Sequence, residues 1–162
     1  ACVNAITRAA PRLVLHFRDP TTEGKFRADI CRVADLYLHG GYYFDVGMVT
    51  IAPLRLPANV TFASAVTDDR SGNVAPHGFF FQSLLASAPG HPILGRALGL
   101  MLEYYNGTVC DGLYLMGPCT LRHAYDATPA QERGALRLLR ELNLDNSLHR
   151  HRYPAVARQR GG

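Results

Sequence analysis

The sequence predicts an α/β domain, and three stretches of its 162 residues carry that prediction. Residues 28–39 place Ile30, Val33, Ala34, Tyr37 and Leu38 at three- and four-residue spacing, on one face of a helix. Residues 42–51 are aromatic and β-branched between Gly40-Gly41 and Pro53, as a strand with a stop requires. Residues 93–105 fit a second helical template through Ile93, Leu94, Ala97, Leu98, Met101, Leu102 and Tyr105, and Asn106-Gly107 ends it.

The first two stretches organise the chain. Gly40-Gly41 ends the helix because glycine enters the left-handed region without a Cβ penalty. Asp29 and Arg32, three residues apart, lie together on a second helix face near its start. On the strand, alternation puts Tyr43, Asp45 and Gly47 on one face, and Tyr42, Phe44 and Val46 on the other.

Around this centre the remaining elements are shorter. Residues 1–24 offer a strand at Leu13-Val14-Leu15 and then a loop with Pro20 and Gly24. Pro53 to Pro57 turns the chain, and Val60-Thr61-Phe62 reads as a brief strand. Asp68 to Asn73 is dense in turn formers, so Asp68 and Asp69 read as solvated loop acids before metal ligands. His77 to Gln82 reads as a buried aromatic strand leading into a helix. His91, in Pro89-Gly90-His91-Pro92, reads as a turn residue before a ligand. Residues 112–122 form a short apolar segment that breaks at Gly117-Pro118. Thr128-Pro129-Ala130-Gln131 reads as a capping box with proline in the first turn. It opens a helix to Leu142 that is apolar at Leu136, Leu139 and Leu142.

Composition sets the bounds. At 48% hydrophobic the chain can build one core without a second domain. The net charge of +4 suits anionic partners, but the excess sits in scattered arginines and in the tail RHRYPAVARQR. A solvated basic surface is the simpler reading, because no nucleic-acid recognition motif accompanies it. The four cysteines, Cys2, Cys31, Cys110 and Cys119, have no C-x-x-C spacing, which argues against a zinc site. Cys31 on the helix reads as buried and reduced, whereas Cys110 and Cys119 can bridge a loop in an oxidising compartment. Asn59-Val60-Thr61 and Asn106-Gly107-Thr108 are acceptor sequons that permit a secretory-pathway reading. No apolar run reaches the about 20 residues of a membrane span.

Ala28-Asp29, Arg32, Leu38, Gly40-Gly41, Tyr43, Asp45 and Pro53-Leu54 stand in an order that resembles a known enzyme group. The resemblance is to glycosyltransferases with a D-x-D sugar-binding region. That group includes family 32, with yeast-type mannosyltransferases, bacterial capsule enzymes and lactosylceramide galactosyltransferases. Residues 79–94 and Gly117-Pro118 are similar to later blocks of the same family, so the likeness spans residues 25–125. Two positions depart from it. Gly47 stands where the family has its second aspartate, giving Asp45-Val46-Gly47, and Met116 stands where relatives often carry threonine.

The resemblance implies a GT-A-like α/β fold, a mixed sheet flanked by helices and incomplete at the N-terminus. Relatives place a nucleotide-binding βαβ segment before the signature helix, and residues 1–24 leave little room for one. Residues 1–145 would form a single partial catalytic domain, and residues 146–162 a basic, poorly ordered tail. The implied activity is that of a retaining glycosyltransferase (a hexosyltransferase) using a nucleotide-diphosphate sugar donor and a glycan or glycolipid acceptor. Asp29 would grip donor-sugar hydroxyls, and the Arg32 guanidinium fork would support sugar or phosphate. Tyr43 would flank the donor, and Gly40, Gly41, Gln82, Gly117 and Pro118 would line its site. A divalent Mn2+ or Mg2+ would stabilise the leaving diphosphate as a Lewis acid, weakened by Gly47. Asp45 would touch ribose and metal-bound water, and His149 or His151 would complete the metal shell. The implied location is the Golgi lumen or membrane in a eukaryote, and otherwise the cytoplasm.

The residues alone keep alternatives open. Asp29–Arg32 also reads as a surface pair of little energetic weight, Tyr43 as core, and His149 and His151 as part of a solvated tail. A binding module that kept the fold and lost the metal is the second function class. A basic nucleic-acid module is the third.

Overall fold

The computed structural model describes residues 1–66, 80–110 and 116–140. The expected calls at Asp68–Asn73, residues 77–79, Leu142 and the tail, His149 and His151 included, lie outside these residues. Within them the chain is an α/β domain with an open, four-stranded mixed sheet flanked by helices.

Three helices come first: α1 (Cys2–Ala9), α2 (Leu13–Arg18) and α3 (Gly24–His39). The strand expected at Leu13-Val14-Leu15 is therefore helical. A strand would put Leu13 and Leu15 on one face, yet Leu13 is buried and Leu15 is 77% exposed. Three consecutive apolar residues cannot distinguish the two periods, and only burial resolves them. Helix α3 starts a turn earlier than its apolar periodicity indicates. It packs Ile30, Val33 and Ala34 fully inside, together with Ala5 and Ile6 of α1.

Cys31 is not reduced. It forms a disulfide with Cys2 and ties α3 to α1, while Cys110 and Cys119 form a second bridge. Pairing of Cys31 was not legible because its partner is 29 positions away. Residues 1–24 contain no strand, so they supply none of the parallel strands of a nucleotide-binding segment.

Gly40 closes α3 in a left-handed conformation, with φ at 66°, and its N–H donates to the Leu36 carbonyl at 2.8 Å. A Cβ at this point would lie 2.8 Å from the Ser87 carbonyl oxygen, so glycine is also required by packing. Strand β1 (Gly41–Phe44) follows and is much shorter than the run 42–51 suggests. The chain turns at Val46-Gly47, where the Met48 N–H donates to the Asp45 carbonyl at 2.9 Å.

Strand β2 (Phe62–Val66) begins where the brief strand at 60–62 was expected to end. Strand β3 (Phe80–Ser87) replaces the helix expected after Gln82. It lies between β1 and β2, antiparallel to both, so both of its edges are paired, and its second half is buried without alternation. Helix α4 (Pro92–Tyr105) matches its template. His91 is its N-cap, and its Nδ1 accepts from the Ile93 N–H at 3.3 Å, which is the turn role expected of it.

Helix α5 (Met116–Ala127) begins at the Gly117-Pro118 pair that reads as a break. Proline is tolerated in a first turn because its missing N–H has no intrahelical partner there. The capping box also fails. The Thr128 hydroxyl donates backward to the Ala124 carbonyl at 2.6 Å and so ends α5. Only a 3-10 turn at Ala130–Glu132 follows, and then β4 (Leu136–Arg140), parallel to β2. The sheet order is β1-β3-β2-β4.

Joining Cys2 to Cys31 closes a loop of about 30 residues, for which chain entropy gives about 3–4 kcal/mol. The Cys2→Ser/Cys31→Ser double variant should lose about that much unfolding free energy in a urea titration. An unchanged midpoint would mean that the bridge does not form.

Candidate functional site

One guanidinium draws three segments together. Arg32 lies on α3, is 9% exposed, and extends to the sheet. Its Nη1 donates to the Gln82 carbonyl of β3 at 3.1 Å and pairs with Asp45 Oδ1 at 3.2 Å. Its Nη2 pairs with Asp29 Oδ1 at 3.4 Å, and its Nε donates to the Ala28 carbonyl at 3.2 Å. The guanidinium carbon also lies 4.6 Å from the centre of the Tyr43 ring. A buried Arg with two carboxylates is not a surface pair, so that reading of Asp29–Arg32 is set aside.

Asp45 follows the last residue of β1, and its N–H donates to the Ser83 carbonyl at 2.9 Å. This fixes its side chain between three donors. Oδ1 accepts from the Tyr43 hydroxyl at 2.5 Å as well as from Arg32, and Oδ2 accepts from the Ser83 hydroxyl at 2.7 Å. Partial burial pushes the Asp45 pKa up, but the bonds from Tyr43, Ser83 and Arg32 outweigh it and hold it below the usual carboxylate range. Tyr43 is pushed up to about 12 by burial and by its bond to the Asp45 carboxylate, so it remains a donor at any physiological pH. It is a working part of the cluster and not plain core.

Asp29 is the opposite case. Burial raises its pKa to about 6, against the opposing pull of Arg32 and of a hydrogen bond from the Gly117 N–H. Gly117 stands in the first turn of α5, where the helix dipole also favours an anion. The contact is so close that only glycine fits. A Cβ at 117 would lie 2.3 Å from Gln82 Oε1 and 2.5 Å from Asp29 Cγ. Gln82 itself is 5% exposed, and neither its Oε1 nor its Nε2 has a hydrogen-bond partner among the described residues.

Asp29, Arg32, Tyr43, Asp45, Gln82 and Gly117 thus meet in one place. Gly40 and Gly41 do not join them; they set the α3–β1 hinge against Ser87 and Pro89. Pro118 follows Gly117 in the first turn of α5. His149 and His151 lie outside the described residues. Ser83 belongs to the cluster and was missed, because only the β1–β3 register brings it to Asp45.

The expected position of Gly47 needs correction. Strand alternation cannot carry it onto the Asp45 face, because β1 stops at Phe44 and Gly47 lies in the following turn. It is exposed, and a Cβ there would meet nothing within 4 Å. An open hollow of about 660 Å³ does lie beside this turn, lined by Tyr42, Phe44 and residues 50–54. Strand alternation puts it on the face of β1 opposite Tyr43, away from the cluster.

The divalent ion implied by the D-x-D likeness does not fit the described residues. Oδ1 of Asp45 already accepts two donors and Oδ2 one, so a single lone-pair direction is open for a cation. Among the described residues the group with three ligand-type side chains is Cys110, Cys119 and His123, whose two cysteines are bridged. No step is therefore assigned to a metal. The class defined by fold and site is an α/β domain with an Asp–Arg–Asp cluster around a buried arginine at the edge strand of its sheet. No protein-family model matches the chain, and no curated protein matches it. Among the described residues no helix is long and apolar enough to cross a membrane.

Two outcomes follow from this geometry. Asp29 releases its proton near 3.8 when unfolded and near 6 when folded. Between those values the folded state binds more protons, so stability falls as pH rises from about 4 to 6, by about 3 kcal/mol, and is level above. Asp29→Asn removes that titration, and its stability relative to the parent should improve across the same window in urea titrations; a pH-independent difference would refute the shift. Gly117→Ala should lower unfolding free energy by about 1–3 kcal/mol through overpacking, while Gly99→Ala, with nothing within 4 Å, should not.

Proposed function

We propose that the chain is a glycosyltransferase domain of GT-A-like type. It would transfer a hexose, with retention, from a nucleotide-diphosphate sugar to a glycan or glycolipid acceptor. The observation that carries the reading is the unpartnered Gln82 amide, buried beside Asp29 and Gly117. Leaving such an amide unpaired in the core costs about 1–3 kcal/mol, so a ligand that supplies both a donor and an acceptor is favoured there. A sugar hydroxyl is both. Support also comes from the residues that the D-x-D resemblance selects, since Asp29, Arg32, Tyr43, Asp45, Gln82 and Gly117 converge.

In this reading Asp29 and Gln82 receive hexose hydroxyls, and Arg32 places positive charge where the diphosphate leaves. A guanidinium carries five donors, and four are engaged by Ala28, Gln82, Asp45 and Asp29. The fifth, on Nη2, has no partner among the described residues and would serve the donor. Tyr43 and Ser83 hold Asp45, which in turn holds Arg32, so the fork is set before the donor arrives.

A second reading is favoured by Asp45 and Gly47. With the Asp45 oxygens largely occupied and no carboxylate at 47, the domain would bind the donor without turning it over. The two readings share the cluster and differ in turnover. The nucleic-acid reading has no support from the cluster, whose two acids outnumber its one arginine.

Gln82→Leu separates function from structure. Replacing an unpartnered amide by an apolar isostere should raise unfolding free energy by about 1–3 kcal/mol. The same change should weaken binding of UDP-glucose, UDP-galactose or GDP-mannose at least about tenfold in calorimetry, the value of one lost hydrogen bond. Measurements with and without manganese, and of free sugar released, distinguish transferase from binding module. If Gln82→Leu binds all three donors as the parent does, or if the parent binds none and responds only to oligonucleotides, the proposal falls.

A further inference from the structure

We propose that Asn106 is an acceptor for an N-linked oligosaccharide, added in an oxidising secretory compartment. The inference is independent of the donor-site reading. Asn106-Gly107-Thr108 has the residue types an acceptor needs, with no proline within or after it. Its placement meets the physical requirements as well. Helix α4 ends at Tyr105, and Asn106 is its C-cap at φ −85° and ψ −1°. Gly107 then turns away in the left-handed region at φ 70°. All three residues are exposed, and no hydrogen bond holds the Asn106 side-chain amide among the described residues. The Thr108 hydroxyl donates to the Glu103 carbonyl at 3.1 Å and keeps its oxygen lone pairs as acceptors.

The second sequon differs in this respect. Thr61 is only partly exposed, and its hydroxyl donates to the Ala135 carbonyl at 3.3 Å beside His91, where the chain enters β2. Asn106 is the acceptor whose whole triplet stands free of the sheet.

The compartment is indicated by the cysteines. All four are paired, Cys2 with Cys31 and Cys110 with Cys119, and none is free. Such bridges form and persist in the secretory pathway and are rare in the cytosol. That pathway also holds the co-reactant, a polyprenyl-diphosphate-linked oligosaccharide, and the transferase that uses it. The Asn106 amide nitrogen bonds to the anomeric carbon as the bond from that carbon to the diphosphate oxygen breaks. The lipid diphosphate leaves with the electron pair, and one amide proton passes to the transferase's base.

The test is to express the whole chain behind a secretion leader in eukaryotic cells, in an Asn59→Gln background that leaves one sequon. Secreted and retained pools are both read. The chain should run as a heavier species that peptide N-glycosidase collapses, and treatment in 18O-water should leave labelled aspartate at position 106. Thr108→Ala should abolish the heavier species, and Thr108→Ser should keep it. This pair separates modification from any folding defect of Asn106→Gln. Disulfide-linked protein with unmodified Asn106 in both pools overturns the proposal, as does a heavier species that survives Thr108→Ala.

Discussion

A guanidinium that is nine-tenths buried cannot stand without partners, and the structure is arranged around that requirement of Arg32. Each segment near it contributes to satisfying it: Asp29 and the Ala28 carbonyl from α3, Asp45 after β1, and the Gln82 carbonyl from β3. Helix α5 enters through Asp29, whose carboxylate accepts from the Gly117 N–H. The covalent links reinforce the same elements. Cys31 precedes Arg32 and is tied to α1, and Cys119 is two residues past Gly117 and tied to the end of the α4 turn. A small sheet with short strands would hold a charged cluster loosely. Two helices pinned by disulfides and packed on Val33, Leu94, Met101 and Leu121 hold it firmly.

What the sequence made legible was local. The α3 and α4 periods, the Gly40 cap and the His91 turn each depend on residues within a few positions, and each appears as expected. Asp29, Arg32, Tyr43 and Asp45 were singled out from one continuous stretch. Helix spacing and strand alternation implied the pairs Asp29–Arg32 and Tyr43–Asp45, whereas the meeting of the two pairs is seen only in the fold. Gln82 and Gly117 entered only through a family likeness, and their mutual contact was not foreseen.

What remained hidden depended on partners far along the chain. Residues 83–87, SLLAS, form a strand because β1 and β2 pair with them on both sides, whatever their local preference. Leu136 to Arg140 likewise becomes a strand through parallel pairing with β2. Thr128 offered a sound forward cap, but the same hydroxyl bonds equally well backward to Ala124, and the helix already formed took it. Ser83 carried no signal at all, since a serine in an apolar run acquires its role only from the register that sets it against Asp45.

The electrostatics of the cluster bear on which ligand it suits. With Asp29 and Asp45 both ionised beside one arginine, the cluster carries a net negative charge, which opposes an anionic donor. The two acids do not ionise over the same pH range, however. Asp45 is held charged by three donors, whereas Asp29 keeps its proton to about pH 6. Below that value the cluster is neutral, Asp29 becomes a donor as well as an acceptor, and repulsion of a diphosphate is removed. On the proposed reading, donor affinity should therefore strengthen as pH falls from about 7 to 5, with a midpoint near the Asp29 pKa, and Asn at position 29 should flatten that profile. A cation-dependent site would behave in the opposite sense, because protons compete with metal for carboxylate oxygens. The direction of the pH dependence thus distinguishes a hydrogen-bonding sugar pocket from a metal centre, on residues that the fold has already brought together.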